Sequence, residues 1–206
     1  VTSAQVFVEP FGDAACRVRL PAGHNARALL AALRSVEGVV DAVVTERHAL
    51  VTFDPAAFDF ARVAARIEAA IDAAPASSPA AAEHVVRVRY DGADLGELAA
   101  ARFIAERDVV RLHTARSYVV AAIGFLPGFA YLRELDPTLV VPRRAIPRHR
   151  VPPGSVAVAG PYTAVYPFAT PGGWTLVGTA LDVAPFDPVR GARFALGDRV
   201  TFVEAP

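Results

Sequence analysis

Lysine is absent from this sequence: all 21 basic residues are arginine. A P-loop, a pyridoxal Schiff base and a biotin carrier each depend on a lysine, so none of these chemistries resides here. Cysteine occurs once, at Cys16, which excludes an internal disulfide and makes a reducing cytoplasm the expected location. Long apolar runs are missing too. The uncharged window Ser117 to Leu132 is too short to span a membrane and contains Gly124, Pro127 and Gly128. Glu9, Asp13, Arg17 and Arg19 interrupt the apolar core that a signal peptide would need, so no leader and no membrane partner are expected. A formal net charge of zero, with few aromatics beside basic patches, argues against a nucleic-acid partner.

One further absence is local. No acidic residue lies between Asp136 and Asp182, while Arg143, Arg144, Arg148 and Arg150 crowd one short stretch. Glycine turns and aromatics frame that stretch, which predicts a local positive field and an anion-tolerant pocket between Ile123 and Trp174.

The rest of the chain supplies the elements. Alternation over Ala14 to Leu20 predicts a strand with Cys16 facing the core. Asn25 is placed to cap a helix running to about Val36, with Leu29, Leu30, Leu33 and Val36 on one stripe and Gly38 as the stop. Strands follow at Val39 to Thr45 and His48 to Phe53. Asp54-Pro55 is expected to open a second helix buried through Phe60, Val63, Ala64, Ile67 and Ile71. This order, β-α-β-β-α, predicts a ferredoxin-like α+β domain over residues 1–78. The low-complexity run from Ala73 to Glu83 sets the boundary.

Residues 79–206 read differently. A strand at Val85 to Tyr90 and helices at Leu95 to Ala101 and Glu106 to Thr114 precede short apolar runs at Tyr118 to Phe125, Ser155 to Ala159, Thr163 to Phe168, Trp174 to Val177 and Arg199 to Val203. Pro and Gly separate them, which predicts a mostly β barrel or sandwich.

Candidate site residues cluster in three motifs. In Gly124-Phe-Leu-Pro-Gly-Phe-Ala-Tyr131, Gly124 and Gly128 are expected to turn main-chain N–H groups toward an anion while Phe125, Phe129 and Tyr131 wall the cavity; an aromatic-packed barrel corner is the alternative. In Pro142 to Ser155, prolines stiffen a ribbon from which Arg144 or Arg148 would pair a carboxylate or phosphate, with a solvated loop or partner surface as the alternative. In Tyr162 to Trp174, the hydroxyls of Thr163, Tyr166 and Thr170 lie near Gly172, Gly173 and the only tryptophan. His113 is a general-base candidate, against a plain helix-terminal role. Ser155 is in no nucleophile elbow. His24 and His48 read as surface residues, and no cluster has metal-ligand spacing.

At these residues the sequence resembles a known family. Leu112-His-Thr114, Ile123 to Leu132, Pro142-Arg-Arg144, Pro147-Arg148, Val151 to Val156, Thr163 to Pro167 and Thr170-Pro-Gly-Gly-Trp174 are similar to the B subunit of 5-oxoprolinase. That family is also called KipI-like, allophanate hydrolase subunit 1, or the first half of a carboxyltransferase domain. The resemblance implies a cyclophilin-like barrel after the α+β domain, and a cleft shared with a partner, the C subunit or a KipA-like chain. It also implies a third polypeptide, the A subunit of the same complex. The reaction it implies is hydrolysis of 5-oxoproline to glutamate, with ATP as the complex-level cofactor. His113, Arg144 and Arg148 would then be catalytic. Gly124, Phe125, Gly128, Phe129, Tyr131, Ser155, Thr163, Tyr166, Thr170, Gly172, Gly173 and Trp174 would bind the substrate. A KipI-like inhibitor of a sensor histidine kinase and a carboxyltransferase half in urea or allophanate breakdown are the alternatives. The chain departs from the family pattern at Arg133-Glu134, at Pro161-Tyr162 and at Thr179, which leaves room for a changed substrate or for a paralogue no longer catalytic.

Overall fold

The computed structural model describes residues 6–75 and 81–206, and the chain separates into two compact units, 1–80 and 81–206. The expected boundary after residue 78 lies outside the described residues.

The first unit runs β1 (Phe7–Pro10), β2 (Ala15–Arg19), α1 (Ala26–Arg34), β3 (Val39–Val44), β4 (His48–Phe53) and α2 (Phe60–Asp72). Its sheet has the order β1-β2-β4-β3, antiparallel throughout. In the expected β-α-β-β-α unit the sheet would begin with β2. Here β1 precedes it as a hairpin and takes the outer edge. Strand alternation buries Cys16, Val18, Ala42, Val44, Ala49, Val51 and Phe53, and the helices bury Leu29, Leu33, Val63 and Ile67. Asn25 does cap α1, its Oδ1 accepting from Ala28 N at 3.1 Å. Asp54, however, does not open α2. Its carboxylate accepts from Ala56 N at 2.9 Å and forms a turn, while Asp59 caps the helix by accepting from Arg62 N at 2.8 Å.

The second unit begins with β5 (Glu83–Arg89), α3 (Leu95–Ala101), α4 (Glu106–Thr114), β6 (Ser117–Ile123) and β7 (Ala130–Arg133). It continues with β8 (Arg148–Val151), β9 (Ser155–Ala159), β10 (Tyr162–Val165), β11 (Thr170–Gly172) and β12 (Thr175–Ala180), then β13 (Phe186–Asp187), β14 (Gly191–Ala192) and β15 (Arg199–Glu204). Seven of these strands close a barrel in the order β10-β7-β6-β15-β5-β12-β9. The unit's first and last strands, β5 and β15, pair in parallel from Arg199 opposite Glu83 to Glu204 opposite Val88, and every other barrel pair is antiparallel. Closure leaves the barrel without a free edge.

Glycine shapes the barrel at Gly92, where an added Cβ would lie 2.3 Å from the Val177 carbonyl carbon and 2.4 Å from Leu176 O. The chain passes from β5 toward α3 directly against β12, and only a residue without a side chain fits there. Asp94 follows at once. Its main chain exchanges with β12 through Asp94 N to Leu176 O at 3.0 Å, and its carboxylate accepts from Leu176 N at 2.7 Å. Among the described residues no helix is long and apolar enough to cross a membrane.

Candidate functional site

A cleft of about 320 Å³ opens in the second unit and is lined by Phe125, Phe129, Tyr131, Arg143, Arg144, Pro147, Tyr166, Pro171, Gly172, Gly173 and Trp174. Its volume is at the small end for ligand pockets. Four pieces of chain build it: the β6–β7 turn with the start of β7, the ribbon before β8, Tyr166 just past the end of β10, and β11 with the turn into β12.

The turn brings in the aromatics. Gly124 N donates to Phe129 O at 3.1 Å and Phe129 N to Leu126 O at 3.0 Å, which closes a tight loop. Phe125 sits at φ 73 on the rim and is exposed, a left-handed conformation that a bulky residue rarely adopts. Phe129 is the hub of the walls, edge-on to Tyr131 at 5.0 Å, to Tyr166 at 5.2 Å and to Trp174 at 5.5 Å between ring centroids. Each such pair contributes roughly 0.5–1.5 kcal/mol beyond its burial, so the walls are rigid before any ligand arrives. Burial pushes the Tyr166 phenol above its ordinary pKa, so it is a neutral hydroxyl at pH 7.

The ribbon and β11 form the other side. Arg144 N donates to Gly173 O at 2.7 Å, and β8 pairs with β11 from Val151 opposite Thr170 to Arg148 opposite Gly172. An added Cβ at Gly172 would lie 2.6 Å from the Tyr166 hydroxyl. This glycine is therefore what lets the ribbon seat against the aromatic floor.

Charge in the cleft is organised by α3. Arg144 Nη1 donates to Asp94 Oδ1 at 3.2 Å and to Glu97 Oε2 at 2.9 Å, and Arg148 Nη2 donates to Asp94 Oδ1 as well. Asp94 is only 2% exposed. Of the four arginines behind the positive field expected from the acid-free stretch, two are thus offset by two carboxylates that precede them by about fifty positions.

The structure brings together Phe125, Phe129, Tyr131, Arg144, Tyr166, Gly172, Gly173 and Trp174 and leaves the other expected site residues off the cleft wall. The Gly124 N–H is spent on Phe129 O and does not face an anion. Gly128, at φ 78, is required by packing, since a Cβ there would meet Pro185 O at 2.6 Å. Ser155 donates its hydroxyl to Pro152 O at 2.8 Å, and Thr170 Oγ1 donates to Pro171 O at 3.3 Å. Arg148 lies on β8 rather than on a loop, holds Asp94, and has its Nη1 buried without a hydrogen-bond partner among the described residues.

His113 and Thr163 are also corrections. His113 is fully buried, with the rings of Phe202 and Tyr118 at 4.6 and 5.3 Å. Thr163 Oγ1 donates to Ala157 O at 3.1 Å, so it accepts from His113 Nε2–H at 2.9 Å; Nδ1 then accepts from the Tyr90 hydroxyl at 2.7 Å. The ring is neutral, and burial holds its pKa down at about 3. It is a core hydrogen-bonding group, off the cleft wall.

With the geometry in place, the comparisons with known proteins decide the family. Residues 6–196 match the carboxyltransferase domain, subdomain C and D. The chain belongs to that family. It is similar to the 5-oxoprolinase B subunit of Escherichia coli O157:H7, 51% identical over 115 residues that cover 54% of this chain and 52% of the relative. It is also similar to the 5-oxoprolinase B subunit of Bacillus subtilis (strain 168), at 41% over 114 residues covering 54% and 47%. The crystal structure of TTHA0988 superposes with a TM-score of 0.80 at 37% identity, over 93% of this chain and 40% of that one. The chain spans about half the length of the curated relatives it matches.

Within this carboxyltransferase-domain fold, Arg143, Asp94 and Glu97 were not singled out as site residues by sequence. Arg143 was within reach, since it adjoins Arg144 in the same motif. Asp94 and Glu97 carried no local signal, because their role exists only once α3 packs beside β12.

Proposed function

We propose that this chain is the B subunit of a 5-oxoprolinase, and that its aromatic cleft receives the lactam acid. One observation carries the reading: a small, rigid aromatic cleft edged by arginine is built from the stretch that resembles that family. 5-Oxoproline is a five-membered lactam ring bearing one carboxylate, and flat walls beside a cation suit both parts. Turnover is expected to require partner subunits and ATP, as the family resemblance implies, and the lining residues of the cleft include no carboxylate or histidine. Tyr166, a neutral hydroxyl, is positioned to hydrogen-bond the ligand rather than to take its proton.

The test is reconstitution. The chain is co-purified with its partner subunits, and glutamate release and ATP hydrolysis are measured with and without 5-oxoproline. Turnover that depends on this chain supports the proposal, and a well-formed complex with no turnover contradicts it.

The family's description as a carboxyltransferase domain supports a second reading, in which the chain is one half of a carboxyltransferase in urea or allophanate breakdown. It would require a biotin carrier outside these 206 residues, because they contain no lysine. Carboxyl transfer from a biotinylated partner, with no 5-oxoproline turnover, would select it.

A further inference from the structure

Three guanidiniums stand beside the cleft, and they are not equivalent. Arg144 is held by Asp94 and Glu97, and Arg148 is held by Asp94 away from the cleft wall. Arg143 differs from both. It is exposed, lines the cleft, and has neither an acidic partner nor a side-chain hydrogen bond among the described residues. Asp94 and Glu97 offset two of the three positive charges, so one uncompensated cation is left at the mouth.

We infer that Arg143 is the specificity-determining anion contact of this cleft, and that its ligand is a small ring-bearing monocarboxylate rather than a phosphate ester or nucleotide. The chemistry follows from the pairing. A guanidinium takes one carboxylate bidentately, which matches a single free charge, and the rigid rings of Phe129, Tyr131 and Trp174 take a flat apolar body. A nucleoside triphosphate carries several negative charges and needs several cations or an array of free N–H donors. Here the other arginines are already neutralised, lysine is missing, and the N–H groups of Gly124 and Arg144 are bound to Phe129 O and Gly173 O. The residues of the cleft therefore do not fit the ATP that the family resemblance implies, and the nucleotide belongs elsewhere in the assembly. The choice of 5-oxoproline among ring monocarboxylates rests on the proposed function; the assignment of Arg143 does not.

Trp174 is the only tryptophan and lies on the cleft wall, so its fluorescence reports occupancy directly. The 206-residue chain is titrated with 5-oxoproline, with its uncharged analogue 2-pyrrolidinone, with 2-furoate, and with ATP. At least one of the two carboxylates should bind about tenfold or more tighter than 2-pyrrolidinone, and ATP should give no saturable change. In Arg143→Gln that preference should fall to within about threefold while 2-pyrrolidinone binding is kept, and Arg143→Lys should recover part of it. Circular dichroism melts should show Arg143→Gln folded as the wild type, since its side chain has no partner to lose. Saturation by 2-furoate but not by 5-oxoproline would keep the assignment of Arg143 and overturn the 5-oxoprolinase reading. An unchanged carboxylate preference in Arg143→Gln, Arg143-dependent saturation by ATP, or no saturation by either carboxylate below about 10 mM would each overturn the assignment.

Discussion

Asp94 and Arg148 stand 54 positions apart in the chain and meet as an ion pair whose carboxylate is buried. The same carboxylate accepts from Leu176 N and from Arg144, so one side chain joins α3, β8, β12 and the cleft ribbon. Removing it takes the carboxylate from Arg148 and from the buried Leu176 N–H, and leaves Arg144 with Glu97 alone. Asp94→Ala should therefore lower unfolding free energy by about 3 kcal/mol. Asp94→Asn should cost less, because its amide oxygen can still accept from Leu176 N. Urea denaturation checks both, and a loss below about 0.5 kcal/mol for Asp94→Ala would show that the pair adds little.

His113 gives the protein an acid sensitivity with a definite sign. Its pKa is about 3 in the folded chain against an ordinary 6.5. A depressed folded value means that the stabilisation is fully present above pH 6.5 and is lost as pH falls toward 3. The slope should approach about 1.4 kcal/mol per pH unit inside that window. Asp91 and Asp136 are both held below the ordinary 3.8, Asp136 chiefly by its hydrogen bond from Arg116; Asp91 is lowered by hydrogen bonds from Arg89 and Thr179, which outweigh desolvation, the largest single effect and an opposing one. The fall between pH 6.5 and 4.5 is therefore separate from theirs. Denaturation midpoints across this range test it, and His113→Gln should flatten the dependence while lowering stability at neutral pH.

Phe103 is 97% exposed and sits at φ 56 where α3 ends. Helices commonly end with glycine in this conformation, because a Cβ is strained there. Phe103→Gly should raise stability by about 0.5–1 kcal/mol, although most substitutions destabilise. A lowered melting temperature would contradict this and mean that the ring stabilises the folded chain despite its exposure.

Glycines around the site should separate by packing. Gly92→Ala drives a Cβ into the β12 backbone at 2.3 Å and should abolish soluble expression or cost more than about 3 kcal/mol. Gly124→Ala meets nothing within 4 Å and has an ordinary φ, so it should melt as the wild type. Equal behaviour of the two variants would contradict the β12 packing described here.

Much of this was legible in the sequence, and the gaps have physical causes. Cys16 and Val18 alternate into the core, Asn25 caps its helix, and Ser155–Ala159 is a strand. All of these are set by local periodicity or capping. β1 was missed because four residues ending in Pro10 carry no alternation of their own and become a strand only by pairing with β2. β8 and β11 were hidden for the same reason among prolines. Glu134, where the chain departs from the family pattern, adopts φ 83, a conformation that glycine takes freely. At the site, the aromatics and glycines of the cleft could be read from their motifs. The weight given to Arg148 and His113 could not be corrected without tertiary structure: both look available in sequence, and both are spent on buried partners, Asp94 and Thr163.

The most direct test of the central claim, that this cleft holds a small ring carboxylate, is a crystal structure of the chain soaked with 5-oxoproline. The expected density lies in the cleft against the wall that Phe129 and Trp174 form together, with carboxylate oxygens about 3 Å from the Arg143 guanidinium. A ligand bound elsewhere on the chain, or an empty cleft at concentrations that saturate the Trp174 signal, would contradict it.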